Sequence, residues 1–427
     1  MSAITVAALV LLVCLFMKMP VFTAVLSGSL SYFLMNPRIP PQIFAQRVSS
    51  GTENITLLAV PFFVAAGVLM NSSGVTQRVM EFCTVIIGRM TGGLAQVNIL
   101  LSTLMGGLSG SALADAAMQS KMLVPEMERQ GFSKEFSSVV TATSSMITPL
   151  IPPGIAMILY GSIANVSIGK LFISGIGVGS LLCLSMMLLT YLVSKKRGYT
   201  PMRTGPLAPG EFWRALRRAI LPLCLPIIII SGIRLGVFTP TEAGSVAIVY
   251  ALILGIAYRN VNMKQILADI RETVVTTASI MLIVAAASSF AWVLTKERIP
   301  QHLTEMIVAT ISSKYLFLVI VNVFLLFVGM FIEGNAAMIV LVPLLHPVAK
   351  RYGIDDIHFA MVFIFNMAIG SLSPPMGTLM FVTCGITGCK IKTFIREAVP
   401  YYVMLVVVLV LLSFVPYLTT GLVSLLY

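Results

Sequence analysis

The chain has 427 residues, of which 58% are hydrophobic and only 10% charged, and it carries a net charge of +12. Soluble domains hold about 25% charged residues, so this surface must meet lipid and packed helices rather than water. A soluble enzyme is excluded, and so is a nucleic-acid binder: no basic stripe with interleaved aromatics exists, and Lys and Arg in a membrane protein collect in cytoplasmic loops.

The apolar runs are long and continuous rather than short and alternating, which predicts an all-α, polytopic helical bundle in the lipid bilayer and not a barrel. The first apolar segment is 4–19, and residues 1–17, with no basic leader and no small-residue cleavage site, read as a retained helix. Apolar segments follow at 21–35, 55–70, 79–87, 96–108, 112–124, 136–161 and 171–194. Residues 195–218 are the one long polar stretch. They hold seven of the 28 basic residues against one acid, Glu211, with three prolines and three glycines. This predicts a cytoplasmic linker between two halves, ending in a possible interfacial helix with Trp213 at the headgroups. Apolar segments resume at 220–237, 243–258, 274–294, 316–331, 336–349, 359–385 and 398–417. The six cysteines are scattered without zinc spacing, and Cys384 with Cys389 reads as packing rather than a disulfide.

The halves resemble each other. Residues 97–112 align without gaps to 321–336 with five identities in 16, and 131–153 align to 353–375 with six in 23. The offsets, 224 and 222, preserve both order and spacing, which indicates duplication. Segments 96–108 and 112–124 are too short for comfortable spans and meet at Ser109-Gly110-Ser111, so they predict a re-entrant hairpin. Segments 316–331 and 336–349 predict a second, with its tip at Glu333-Gly334-Asn335. Five crossings between them put the hairpins on opposite faces and make the repeats inverted. Placing 195–218 in the cytoplasm gives 16 Lys/Arg in cytoplasmic links against seven in outer ones, as expected.

The chain is thus predicted to break four times, at the two tips and at the Pro-Pro sequences in 148–154 and 370–377. Unpaired backbone groups cost several kcal/mol in lipid, so such breaks survive where they line a cavity or hold a ligand. Freed carbonyls and hydroxyls suit Na⁺, and half-helix N-termini attract anions. Ser109, Gly110 and Ser111 with Thr148, Pro149 and Pro152 form one candidate sodium site. Gly334 and Asn335 with Gly370, Ser371, Ser373 and Met376 form the second. An anion between the tips would meet Ser111, Asp115, Asn335 and Thr378. Plainer readings stand beside these: a Pro-Pro kink, small residues used for helix packing, Asp115 paired with Lys121, and Glu333 simply in water. Arg234 and Glu242 read as stabilising the turn at 237–241, the three histidines as isolated, and the 26 methionines as gap-fillers.

Several motifs in order carry a family resemblance: Leu58-Ala-Val-Pro-Phe-Phe63 with Ala66-Gly67, residues 107–111, Ile151-Pro-Pro-Gly154, Phe238-Thr-Pro-Thr-Glu-Ala243 and Ser373-Pro-Pro375. Together they resemble the large membrane subunit of the tripartite ATP-independent periplasmic (TRAP) transporters, over essentially the whole chain and closest to the sialic acid members. The resemblance implies Na⁺-driven import of an organic anion across the bacterial inner membrane. It also implies two partners, a small membrane subunit and a periplasmic substrate-binding protein, with no cofactor beyond the coupling Na⁺. C4-dicarboxylate members share the motifs, and a stand-alone dicarboxylate symporter is a further alternative. An elevator mechanism is implied, with scaffold helices in 1–90 and 219–295. The transport-domain repeats would lie in 91–194 and 296–395, the linker in 195–218 and a terminal helix in 396–427. If two Na⁺ accompany one monovalent anion, a tenfold gradient and ~100 mV supply roughly 5 kcal/mol, sufficient without ATP. A membrane enzyme such as an intramembrane protease or a prenyl-transferring enzyme would need HExxH, a paired-aspartate protease motif or an Asp-rich cluster, and the sequence has none of them.

Overall fold

The structure, a computed structural model, describes all residues except Met1, Lys18, Thr204 and Val261. Among the described residues it contains helices and no strands. The first group is α1 (Ala3–Phe16), α2 (Val21–Met35), α3 (Gln42–Ser50), α4 (Ala59–Ser72) and α5 (Val75–Ile87). Next come α6 (Gly93–Ser109), α7 (Ala112–Met122), α8 (Val124–Arg129), α9 (Lys134–Ser144), α10 (Ile155–Ala164) and α11 (Ile168–Arg197). The second half holds α12 (Glu211–Arg234), α13 (Pro240–Ala257), α14 (Met263–Lys296) and α15 (Ile299–Thr310). It closes with α16 (Lys314–Gly329), α17 (Gly334–Arg351), α18 (Asp356–Leu372), α19 (Thr378–Thr387), α20 (Ile391–Phe414) and α21 (Tyr417–Leu426).

Local chemistry sets many of these boundaries. Side chains of Ser111, Ser133, Ser167, Thr239 and Asn262 accept backbone N–H bonds at the starts of α7, α9, α11, α13 and α14, satisfying otherwise orphaned donors. Glu242 reciprocates by accepting from the Thr239 N–H at 2.8 Å, a capping box, so it does stabilise the turn before α13. Basic Lys195, Lys196 and Arg197 occupy the last turn of α11, and Gly198 ends it at φ +71°, where a left-handed residue closes a helix most easily.

Among the described residues six stretches are long and apolar enough to cross a membrane: Ile55–Ser72, α11, α12, α13, α14 and α20, with the bent pair α9–α10 as a seventh. Two boundaries differ from those expected. The irregular linker is confined to 198–210, because its basic ends belong to α11 and α12, and α12 runs unbroken from Glu211 to Arg234 instead of starting with a separate interfacial piece. Thr204, within it, lies outside the described residues. The second hairpin turns at 330–333, and Gly334 already begins α17. Four helices went unread in the sequence: α3, α8, α15 and α21 are short, and α3 in particular has no run of apolar residues.

Packing sorts the helices. α1 packs on α2, α2 on α14, α4 on α13 and α14, and α5 on α12, so the chain before residue 90 joins the segment 219–295. The other group interlocks across the two halves: α6 packs on α9 and α16 on α18, whereas α7 packs on α19 and α10 on α17. Each second hairpin arm thus meets the helix following the other half's break.

Candidate functional site: four helix N-termini around one cavity

The Pro-Pro sequences break their helices. After α9 the chain tightens into a 3-10 turn, Ser145–Leu150, and resumes at α10 with a bend of 42°. The second break runs from Ser373, which is extended, to Thr378. The Pro152-Pro153 and Pro374-Pro375 peptides are both cis. At the first tip, Gly110 sits at φ +61°, and a Cβ there would lie 2.6 Å from the Pro153 carbonyl oxygen. Only glycine allows both the left-handed turn and this approach.

These pieces converge on a cavity of about 90 Å³, enough for several water-sized occupants. Its wall includes Ala112 and Leu113 of α7, Ile155 and Ala156 of α10, Gly334 and Asn335 of α17, and Thr378 and Leu379 of α19. These are the first residues of four helices. Each N-terminus carries about +0.5 of an elementary charge and unpaired N–H groups. Ser111 and Glu333 cap α7 and α17 with side-chain oxygens, while α10 and α19 follow Gly154 and Gly377 and have no side-chain cap. Their amides therefore remain available to an acceptor in the cavity. Such an arrangement suits a carboxylate.

The sequence-derived residues distribute around this centre. Gly110, Ser111, Pro149, Gly334, Asn335, Ser371 and Thr378 line the cavity. Ser109 lies behind the first tip, with its Oγ buried and without a hydrogen-bond partner, a spare hard oxygen of the kind Na⁺ takes. Thr148 Oγ1 donates to the Ser102 carbonyl at 3.5 Å, and Ser373 Oγ to the Ile369 carbonyl at 2.8 Å. A Cβ on Gly107 would lie 3.3 Å from the Pro152 carbonyl oxygen, and Met376 is exposed. Gly370 abuts Gly329, where a Cβ would lie 2.5 Å from the Gly329 Cα. In the first half Gly106 meets Thr148 in the same way, at 3.1 Å from its Cα. Thr148 and Gly370 are equivalent at the offset of 222.

Asp115 does not line the cavity. It is 1% exposed and accepts hydrogen bonds from Ser102 Oγ (2.8 Å) and Gln119 Nε2 (2.7 Å). Lys121 makes no ion pair with it among the described residues. The network continues from Ser102 to Ser144 and from Ser144 to Asn98 Oδ1 (2.8 Å). Its counterpart joins Asn366 Nδ2 to Asn322 Oδ1 (2.9 Å) and Asn322 Nδ2 to Ser413 (2.8 Å). Asn322 is Asn98 plus 224 and Asn366 is Ser144 plus 222, so the same two positions are bonded in both halves.

Sequence reasoning missed these asparagines as bonded groups, although the shared Val-Asn opening of the repeats was their signal. It also left Glu333 in water, whereas Glu333 lines the cavity and accepts from the Ala336 N–H at 3.0 Å. The cap moved because α17 starts two residues earlier, relative to its repeat, than α7 does. Tyr402 was likewise unread: its Oη donates to the Leu372 carbonyl at 2.9 Å, satisfying one oxygen that the second break releases.

Residues 8–418 match the family described as tripartite ATP-independent periplasmic transporter, DctM component. The chain is 39% identical over 406 residues to the sialic acid TRAP transporter large permease protein SiaM of Vibrio cholerae, covering 95% of each. It is 35% identical over 392 residues to the C4-dicarboxylate TRAP transporter large permease protein DctM of Pseudomonas aeruginosa, covering 92% of this chain and 91% of that one. In fold it is similar to the YdaH transporter of Alcanivorax borkumensis, with a TM-score of 0.58 at 15% identity over 87% of this chain and 86% of that one.

Proposed function

Because this chain belongs to the TRAP transporter family as its DctM component, we propose that it imports an organic anion, a sialic acid, in symport with sodium. It is a multi-pass permease subunit of the bacterial inner membrane and not an enzyme. The observation that carries the anion is the meeting of four helix N-termini at one cavity, two of them with no side-chain cap.

Sodium would sit on the opposite ends of the broken elements, where α6, the 3-10 turn and α18 release carbonyls. Ser109, Gly110, Ser111, Thr148, Pro149 and Pro152 supply the first candidate shell, and the orphaned Ser109 Oγ supports it. Gly334, Asn335, Gly370, Ser371, Ser373 and Met376 supply the second. The anion would be held by the α10 and α19 amides with Ser111, Asn335 and Thr378, while Asp115 steadies the first tip through Ser102 and Gln119. The cation neutralises the site so that the anion is bound and carried with it.

The two hairpins read as re-entrant, and five crossings between them invert one repeat against the other. The interlocked group α6–α10 and α16–α19 would then move as one body against α1–α5 and α12–α14. Small residues line that boundary, where α6 packs on α4, α5 and α12. Gly67 of α4 lies against the Ser109 backbone, and Gly107 lies against Pro226 of α12. A small membrane subunit and a periplasmic substrate-binding protein complete the system, the latter delivering the cargo. Sialic acid follows the likeness to SiaM; the likeness to DctM favours a C4-dicarboxylate as the second reading.

The test is uptake of radiolabelled sialic acid into proteoliposomes, adding the small subunit and binding protein in turn, with and without an inward Na⁺ gradient. Uptake should require all three proteins and sodium. Full uptake with the gradient abolished would overturn the coupling, and succinate uptake in place of sialic acid would select the second reading.

A further inference from the structure

The groove between α5 and α12 plays no part in that scheme, and its chemistry points elsewhere. α12 begins inside the basic stretch, with Arg214, Arg217 and Arg218 exposed. Its opposite face presents Ala215 and Ala219, buried against Phe82 and Val85 of α5. Beside this small-residue contact lies a cleft of about 480 Å³, walled by Glu81, Met202, Arg203, Glu211, Arg214 and Arg218. The linker forms one side and is tied down: the Arg203 N–H donates to the Gly88 carbonyl at 3.1 Å, and Arg89 Nε to the Gly205 carbonyl at 3.0 Å.

The charges are unevenly matched. Arg203 pairs with Glu211, and Arg218 with Glu81 at 3.2 Å. Arg214 and Arg217 have no carboxylate within 4.0 Å among the described residues. Next to these uncompensated cations stand exposed Phe212 and Trp213, and further along α12, on the flank of Arg214 and Arg218, exposed Leu221 and Ile228. Along α12 the aromatic pair comes first, then the cations, then an apolar track, and the step from cations to apolar track is that of a phospholipid from headgroup to acyl chain.

We propose that this groove binds the headgroup of an anionic phospholipid, with the phosphate between Arg214 and Arg218, Arg217 at the rim, and one acyl chain along Leu221 and Ile228. The apolar track singles out a lipid over free phosphate. Arg218 is partly neutralised by Glu81, which therefore limits the affinity. The site concerns anchoring and does not depend on how transport is coupled.

Native mass spectrometry of the full chain in detergent, titrated with phosphatidylglycerol or phosphatidylcholine, tests this. Phosphatidylglycerol should bind at least tenfold more tightly. An arginine beside an anionic headgroup contributes about fivefold in affinity, so Arg214→Gln with Arg217→Gln should weaken phosphatidylglycerol by roughly 25-fold. Glu81→Gln should strengthen it, an opposite sign that a folding defect would not produce. Lys195→Gln with Lys196→Gln, at the end of α11, should leave it unchanged. The proposal is overturned by equal retention of phosphatidylglycerol in the double arginine variant, by its displacement with equimolar inorganic phosphate, or by the small membrane subunit excluding it from the groove.

Discussion

At the scale of single residues, Asp115 and Ser111 separate two kinds of contribution. Asp115 accepts from both Ser102 and Gln119 in full burial, so Asp115→Leu would strand two donors at about 1–3 kcal/mol each. Asp115→Asn retains the shape and one acceptor. It should cut sodium-dependent uptake with little loss of folded protein, read by transport beside size-exclusion yield; unchanged sodium dependence would show that Asp115 does not position the first tip. Ser111 Oγ accepts from the Ala114 N–H at 3.4 Å. Ser111→Ala should therefore cost about 1 kcal/mol of cap stability as well as weaken uptake. Glycines are tested in the same way. A Cβ on Gly370 would lie 2.5 Å from the Gly329 Cα, whereas one on Gly385 meets nothing within 4 Å. Gly370→Val should lower the unfolding temperature in detergent by an overpacking cost of about 1–3 kcal/mol or more, and Gly385→Ala should be silent.

At the scale of elements, the breaks persist because other groups take up what they release. Tyr402 serves the Leu372 carbonyl, and Tyr402→Phe should cost about 1–3 kcal/mol if that oxygen stays dry. A fall in thermal stability with unchanged sodium dependence would mark Tyr402 as purely structural. The matched bonds Asn98–Ser144 and Asn322–Asn366 tie each first hairpin arm to the helix entering its break. Asn98→Leu and Asn322→Leu should impair uptake in parallel, since each loosens one half of the same design. An effect from one alone would argue that the halves do different work. The repeats were legible in sequence because glycine, proline and the Val-Asn pair recur at nearly constant spacing. The shift of the cap from Ser111 to Glu333 was not legible, because a two-residue change in where a helix starts leaves the alignment untouched.

At the scale of the molecule, the interlock of α7 with α19 and α10 with α17 makes the two halves one cooperative unit around the cavity. Sodium should therefore protect the starts of α7, α10, α17 and α19 together in hydrogen–deuterium exchange, leaving α12–α14 unchanged. Protection confined to one hairpin would contradict a shared site.

Hydropathy, helix punctuation and repeat spacing by themselves determined the membrane class, the helical architecture and the four places where the chain breaks, and the motif resemblance pointed to the family. These are legible because burial in lipid, capping and proline's missing donor act within a few residues of chain. Only the tertiary structure decided that Asp115 turns into a polar network while Glu333 turns to the cavity, that each arm crosses to the other half, and that four N-termini share one space. Those outcomes depend on the close approach of segments some 220 residues apart, which packing between glycines and hydroxyls selects and no local pattern encodes.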